Sequence, residues 1–468
     1  MNFTSILFWI FFLVCLCAYW LGRGKTWQNV ILVAASLVFY ASFHIDYLLL
    51  LIVSILADFF VSQQMLKKDA ARKTWLVIGL SLNIAVWVFF KYARPVYDVL
   101  LSFSQAAYPP DLVRSLNIWM PIGLSFITLK KISFLLEVYR GKTIPQPGLL
   151  EYACYVSFFP QLMSGPIDRP QKLIPQFQTA RRWNVEFLLQ AWPMILTGLF
   201  KKMVIANGIG VIVNQVYLSR SPSKLLWLIG TLGFAVQVLA DFSGYTDISR
   251  GVARLLGFET SINFNAPYLS LNFNDFWNRW HITLSAWLRD YIFFPLRRWL
   301  MQKHNKQPAW LALVLPPLVT MLVSGIWHGT GWNFIVWGLF HGVVIAASQL
   351  LSKPPAVARS PLMKFFTAWL PTSILLLFSW AIFRAVSLPW LVNVLFKSPF
   401  TLGAADLSVC LASLSFVVFY LVLYLLEFAI HRWTNERMWV RSLFYVGMTL
   451  LIFIYSNSVS PDFIYTHF

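Results

Sequence analysis

The sequence predicts an all-α polytopic membrane protein, and three observations carry that reading. Of 468 residues, 58% are hydrophobic and 12% charged, with a mean hydropathy of +0.65, too little polar surface for a water-soluble globule of ordinary composition. Apolar runs recur from end to end, each approaching the roughly 20 residues with which a helix crosses the hydrocarbon. The basic residues fall between those runs. Helices follow because an open chain in lipid has no other way to satisfy its backbone.

In order, the runs lie at 6–20, 30–40, 47–60, 75–90, 118–136, 185–205, 225–240, 310–323, 334–347, 370–383, 409–428 and 443–455. They amount to roughly 11–13 transmembrane helices, the shorter ones tilted or partly inserted. The first run has no basic leader or small-residue cleavage site, so it reads as a retained helix in a chain starting at Met1. Two further apolar stretches, 149–164 and 272–300, have basic clusters on both sides and read as re-entrant or interfacial helices. In the second, Phe276, Trp277, Trp280, Leu284, Trp287, Leu288 and Tyr291 recur at three- and four-residue spacing, with Asn274, Asn278 and Arg289 opposite. That is the pattern of an amphipathic interface helix, ended and anchored by Pro295 and Arg297-Arg298. Most of the 22 tryptophans read as belt or packing residues.

A net charge of +19 in a soluble protein would suggest nucleic acid; here the cations lie in connections, where they set orientation, and no nucleic-acid partner is expected. Clusters at Lys67, Lys68, Arg72 and Lys73, at Arg140, Lys142, Arg169, Lys172, Arg181 and Arg182, and between Arg250 and Lys306 are assigned to the cytoplasm. So are those at Lys353, Arg359 and Lys364 and at Arg432, Arg437 and Arg441. The connections at 92–117, 207–224, 329–331 and 385–407 then lie outside, as does the amino terminus. Cys15, Cys17, Cys154 and Cys410 have no metal-ligand spacing and read as inert core residues. Without an internal repeat or linker, 1–468 reads as a single membrane-embedded domain, densest in motifs over 150–345.

Polar words stand out against this background. Asp241, Tyr245 and Asp247 cluster at the inner end of a span, either as a capping and packing knot, with Gly244 permitting close approach, or as the lining of a polar cavity. His281 falls near the cytoplasmic surface, where a hydrated histidine costs little; Ser285 shares its helical face and Arg279 does not. His328 ends a long apolar run, among Ser324, Gly325 and Gly329, with no carboxylate within 30 residues. A neutral imidazole there suits a general base; the alternative is a histidine bonded to a helix carbonyl.

Trp277-Asn-Arg-Trp-His-Ile-Thr-Leu-Ser285 with Trp287-Leu-Arg-Asp-Tyr291, followed by Gly325-Ile-Trp-His-Gly329, resembles the signature of the membrane-bound O-acyltransferase (MBOAT) family. The similarity is to its bacterial branch, which contains the membrane subunit of alginate O-acetylation. Gly165-Pro-Ile167, Asp241-Phe-Ser-Gly-Tyr-Thr-Asp247, Leu256-Gly-Phe258, Asn263-Phe-Asn265 and Pro267-Tyr-Leu-Ser270 extend it. The resemblance implies a fold around a central tunnel, a catalytic His328, a second functional histidine at His281, and a place in the bacterial inner membrane. This chain reads Phe294-Pro-Leu-Arg-Arg-Trp299 where the branch usually has a Pro-Leu-Gly-Gly-Asn turn, which opens the acceptor to another exopolysaccharide, such as cellulose.

The expected reaction is O-acetylation from an acyl thioester, most simply acetyl-CoA, used as substrate, with no permanently bound cofactor and no metal. Charge placement puts His281 at the inner face and His328 near the outer end of its span, on different levels of the tunnel. The donor would dock along 272–298, where Arg279, Arg289, Arg297 and Arg298 meet its phosphates, with Asn278, Ser285 and Asp290 in the same donor-binding set. Trp327 would wall the channel against water. With no Gly-X-Ser-X-Gly word in the chain, final transfer to the exopolysaccharide is expected to need periplasmic acetyltransferase partners, in contact with membrane lipid throughout. The rival readings are D-alanyl transfer from a carrier protein to teichoic acid, and a transporter or export subunit using the histidines as a proton relay.

Overall fold

The computed structural model describes residues 1–43, 45–67, 69–104, 120–141, 146–302, 310–351, 360–401, 403–433 and 438–455. Lys68, Lys142, Lys306, Lys353, Arg359 and Arg437, residues 105–117 and the start of the 118–136 run lie outside the described residues. Among the described residues every regular element is helical. Among the described residues eight helices are long and apolar enough to cross a membrane: Ile45–Lys67, Arg72–Val96, Val185–Leu218, Lys224–Leu255, Leu311–His328, Trp332–Leu351, Leu362–Arg384 and Ala404–Ile430. Ile6–Leu21 and Trp439–Tyr455 are shorter apolar helices. The chain is an all-α, multi-pass membrane protein. Lys25–Ala41 and Leu124–Tyr139, also read as crossings, bury polar side chains, including Gln28, Asn29, Lys130, Lys131 and Glu137.

The chain forms two compact units. One comprises Met1–Ile195 with Ile248–Ser261. Buried charge there is met by polar partners: Lys131 meets Asp58 at 3.2 Å, and Asn83 donates to the same carboxylate at 2.9 Å. Lys130 donates to Gln161 at 2.8 Å, which in turn donates to Asp168 at 2.6 Å. The 149–164 stretch forms a nine-residue helix, Leu149–Ser157, and a turn at Phe159–Gln161. At about 1.5 Å per residue such a helix is far too short to cross, and Tyr152, Tyr155, Phe158 and Phe159 are buried inside the unit.

The second unit comprises Leu196–Asp247 with Ile262–Phe468. Leu311–His328 and Trp332–Leu351 form a tight antiparallel hairpin. A Cβ on Gly325 would collide with the Phe334 carbonyl oxygen, and one on Gly338 with that of Met321, so glycine lets the two backbones touch. The Val185–Leu218 rod passes through a π-helical segment, Phe200–Ala206, that carries Lys201 and Lys202. Such bulges inside α-helices concentrate at functional sites.

Two expectations are corrected here. The 225–240 span does not end before Asp241: the helix runs from Lys224 to Leu255, so Asp241, Tyr245 and Asp247 lie inside it and cap nothing. The helix can continue because lysines neutralise the carboxylates. The 272–300 stretch is not one amphipathic helix either. It is Phe273–Arg279, a break, Ile282–Leu288, a π-helical Arg289–Phe293, and Phe294–Gln302. Pro295 lies inside the continuous helical run 282–302, two residues after the π-helical turn Arg289–Phe293, so it does not end the helix. Phe276, Trp277 and Trp280 pack into the unit's core, not against an interface.

Candidate functional site

His281 occupies the break. Its backbone is left-handed, φ 42° and ψ 52°, a conformation that a non-glycine residue adopts at a cost and that clusters at functional sites. A short strap holds it there: Asn265 N–H donates to the Arg279 carbonyl at 3.0 Å, and Ile282 N–H to that of Asn263 at 3.0 Å. The Asn263 side chain accepts from the Thr283 hydroxyl at 2.7 Å. The turn points the ring at Phe242, 4.7 Å away edge-on, and toward Trp327 at 6.3 Å. His281 is wholly buried, where a hydrated surface position was expected, and burial pushes its imidazole down to about 3, so it is held neutral.

His328 is the last residue of its helix and 3% exposed. Its ring neighbours are Trp327 at 4.9 Å, Trp337 at 5.1 Å and Phe383 at 5.4 Å. Asn333 donates to the Phe383 carbonyl at 3.1 Å and holds that wall. Trp327 thus lies between the two histidines. The broken 272–300 segment enters the unit and carries His281 within 6.3 Å of Trp327, the residue next to His328.

Beside Phe273–Arg279 and Ile282–Leu288 lies a cavity of about 220 Å³, lined by Asn278, Ser285, Arg289, Trp277, Thr320 and Gln349, among others. Arg289 donates to Asn278 at 2.7 Å, and the Ser285 hydroxyl to the Trp280 carbonyl at 3.0 Å. Three residues of the expected donor-binding set therefore meet at one cavity. Arg279 and Asp290 are not among its lining residues. Arg279 pairs with Asp275 at 2.7 Å, one turn back; Asp290 is exposed on the π-helical segment. Arg297 lies over the Phe293 ring and Arg298 is exposed. Ser285 N–H donates to the His281 carbonyl at 2.9 Å, one helical turn on.

The carboxylates of the 241–247 word are held elsewhere. Asp241 meets Lys202 at 2.6 Å. Asp247 meets Lys201 at 3.0 Å, which also reaches Glu427 at 3.4 Å. Tyr245 is buried on the same helix. Sequence reasoning passed over Lys201, Lys202 and Glu427, although two adjacent lysines in the apolar 185–218 run were a signal. It also missed His341. That residue is 1% exposed, its ring 5.2 Å from Trp277 and 4.7 Å from Trp337. The signal was a second His-Gly word at His341-Gly342, in the run that faces the His328 helix.

Residues 142–388 match the family model described as MBOAT, membrane-bound O-acyltransferase family. Among similar proteins, the "probable alginate O-acetylase AlgI" of Pseudomonas aeruginosa is 31% identical over 419 residues, covering 87% of this chain and 76% of that protein. The peptidoglycan O-acetyltransferase of Helicobacter pylori is 31% identical over 404 residues, 80% of this chain and 74% of its own. The teichoic acid D-alanyltransferase of Bacillus subtilis is 30% identical over 262 residues, 54% of this chain and 64% of its own.

Proposed function

Because the chain belongs to the membrane-bound O-acyltransferase family, we propose that this O-acyltransferase moves acetyl groups from a cytoplasmic thioester, most simply acetyl-CoA, for O-acetylation of a secreted exopolysaccharide of cellulose or alginate type. The observation that carries the reading is His328, buried among aromatic rings at the end of an apolar helix and separated from a second buried histidine by Trp327. The AlgI and peptidoglycan relatives, named for acetylation of polymers, match most of the chain; the D-alanyltransferase matches about half, which favours acetyl over D-alanyl.

The chemistry follows from one imidazole. In its neutral form His328 takes the proton of an acceptor hydroxyl as that oxygen attacks the thioester carbonyl. The tetrahedral adduct collapses with cleavage of the C–S bond, and the imidazolium returns its proton to the departing thiolate. Trp327 and Trp337 exclude water that would hydrolyse the thioester. Arg289, fixed by Asn278, meets the anionic part of the donor at the cavity. At about 220 Å³ that cavity is below the roughly 300–1,000 Å³ of sites that enclose a whole drug-sized ligand, and it suits part of the arm of a donor whose nucleotide stays outside. His281, packed toward Trp327, shapes the wall between donor and base.

The protein works in the bacterial inner membrane and hands acetyl groups, directly or by relay, to periplasmic acetyltransferase partners that modify the polymer. Replacing His328 with alanine is expected to abolish polymer O-acetylation with the protein still present in the membrane, measured as ester-linked acetate on isolated polymer. Wild-type acetylation by that variant would sink the proposal.

A further inference from the structure

His341 is a buried polar residue that the transfer step leaves unused. Neither imidazole nitrogen has a hydrogen-bond partner among the described residues; its neighbours are the rings of Phe273, Trp277, Trp337 and Phe340. Leaving both nitrogens unmet in such surroundings is costly, and a phenyl ring would fill the space without that cost. Ring contacts link the position to both the cavity and the base. Trp277 lines the cavity, His341 is 5.2 Å from it, Trp337 is 4.7 Å further on, and Trp337 is 5.1 Å from His328. The indole nitrogens of Trp277 and Trp337 and the hydroxyl of Thr320 also have no partner among the described residues.

We propose that His341 is a donor-recognition residue, which hydrogen-bonds an amide of the arm carrying the acyl thioester as that arm extends from the cavity to His328. A neutral imidazole offers one donor and one acceptor; an amide offers the complementary N–H and C=O. The flanking indole N–H groups, which only donate, fit carbonyl oxygens on either side. A donor without amides leaves these atoms unmet. The site therefore selects an acyl group borne on a diamide arm, such as that of coenzyme A, over an acyl phosphate or a simple alkyl thioester. This inference rests on the thioester reading above.

The test compares two donors on the purified full-length protein, acetyl-CoA and S-ethyl thioacetate, with de-acetylated polymer present as acceptor and thiol release followed for the parent, His341→Phe and His341→Gln. The preference for acetyl-CoA, as a ratio of kcat/KM values, is expected to fall roughly ten-fold or more in His341→Phe, in proportion to one lost hydrogen bond. Glutamine, which keeps a donor and an acceptor, should restore part of it. His341→Phe should melt no lower than the parent, which separates lost recognition from lost folding. A parent-like ratio in a folded His341→Phe overturns the inference and leaves the thioester reading standing; a parent that releases thiol from neither donor overturns both.

Discussion

His281 combines two unfavourable features, a left-handed backbone and a fully buried imidazole. The Asn263 strap makes the first tolerable, and neutrality makes the second so. The consequence for stability has a definite sign. With its folded value pushed down to about 3 from the ordinary 6.5 or so, the native state binds fewer protons than the unfolded chain across that interval. Its contribution is intact above the unfolded value and is lost progressively as pH falls toward 3, by at most about 1.4 kcal/mol per pH unit. His281→Asn keeps a side chain that tolerates the left-handed region and cannot titrate, so its stability should decline less steeply than the parent's between pH 6 and pH 4, measured by thermal unfolding in detergent. Equal slopes would mean that His281 is not the group being protonated.

The carboxylates of the 241–247 word are held by the segment Phe200–Ala206, where Gly244 lets the helices meet: a Cβ there would press on the Gly198 carbonyl at 2.8 Å. Lys202 and Asp241 are both nearly buried, and removing one partner of such a pair costs on the order of 3–5 kcal/mol, whereas replacing both with apolar groups is often neutral. Lys202→Met alone should therefore unfold at a clearly lower temperature, and adding Asp241→Leu should recover most of the loss. A folded, active double variant makes the pair a clamp; a folded, inactive one returns Asp241 to the donor path, the alternative open from sequence. Here legibility in sequence ended. The words around His281 and His328 were readable because their chemistry sits in contiguous residues, and the helical class because hydropathy is a local sum. The lysine partners, the break at His281 and the place of His341 depend on backbone conformation and on contacts between distant segments, which periodicity does not encode.

At the scale of the whole molecule, orientation decides which side supplies acetyl groups. The basic residues that precede and follow the described spans alternate: Lys67, Arg72 and Lys73 before Arg72–Val96, Arg181 and Arg182 before Val185–Leu218, Arg250 and Arg254 at the end of Lys224–Leu255, Lys364 at the start of Leu362–Arg384. Such alternation orients a multi-pass chain with these ends in the cytoplasm. On that expectation Leu311–His328 runs outward, with His328 toward the outer side. The cavity residues Pro317, Ile345 and Gln349 lie toward the Leu311 and Leu351 ends of the hairpin, the side from which the proposed cytoplasmic thioester would enter. Alkaline phosphatase, which folds only outside the cytoplasm, should therefore be active when fused after Ser221 and inactive when fused after Ala70. An active fusion at Ala70 would reverse the orientation and place the cavity on the polymer's side, making it an acceptor site in place of a donor site.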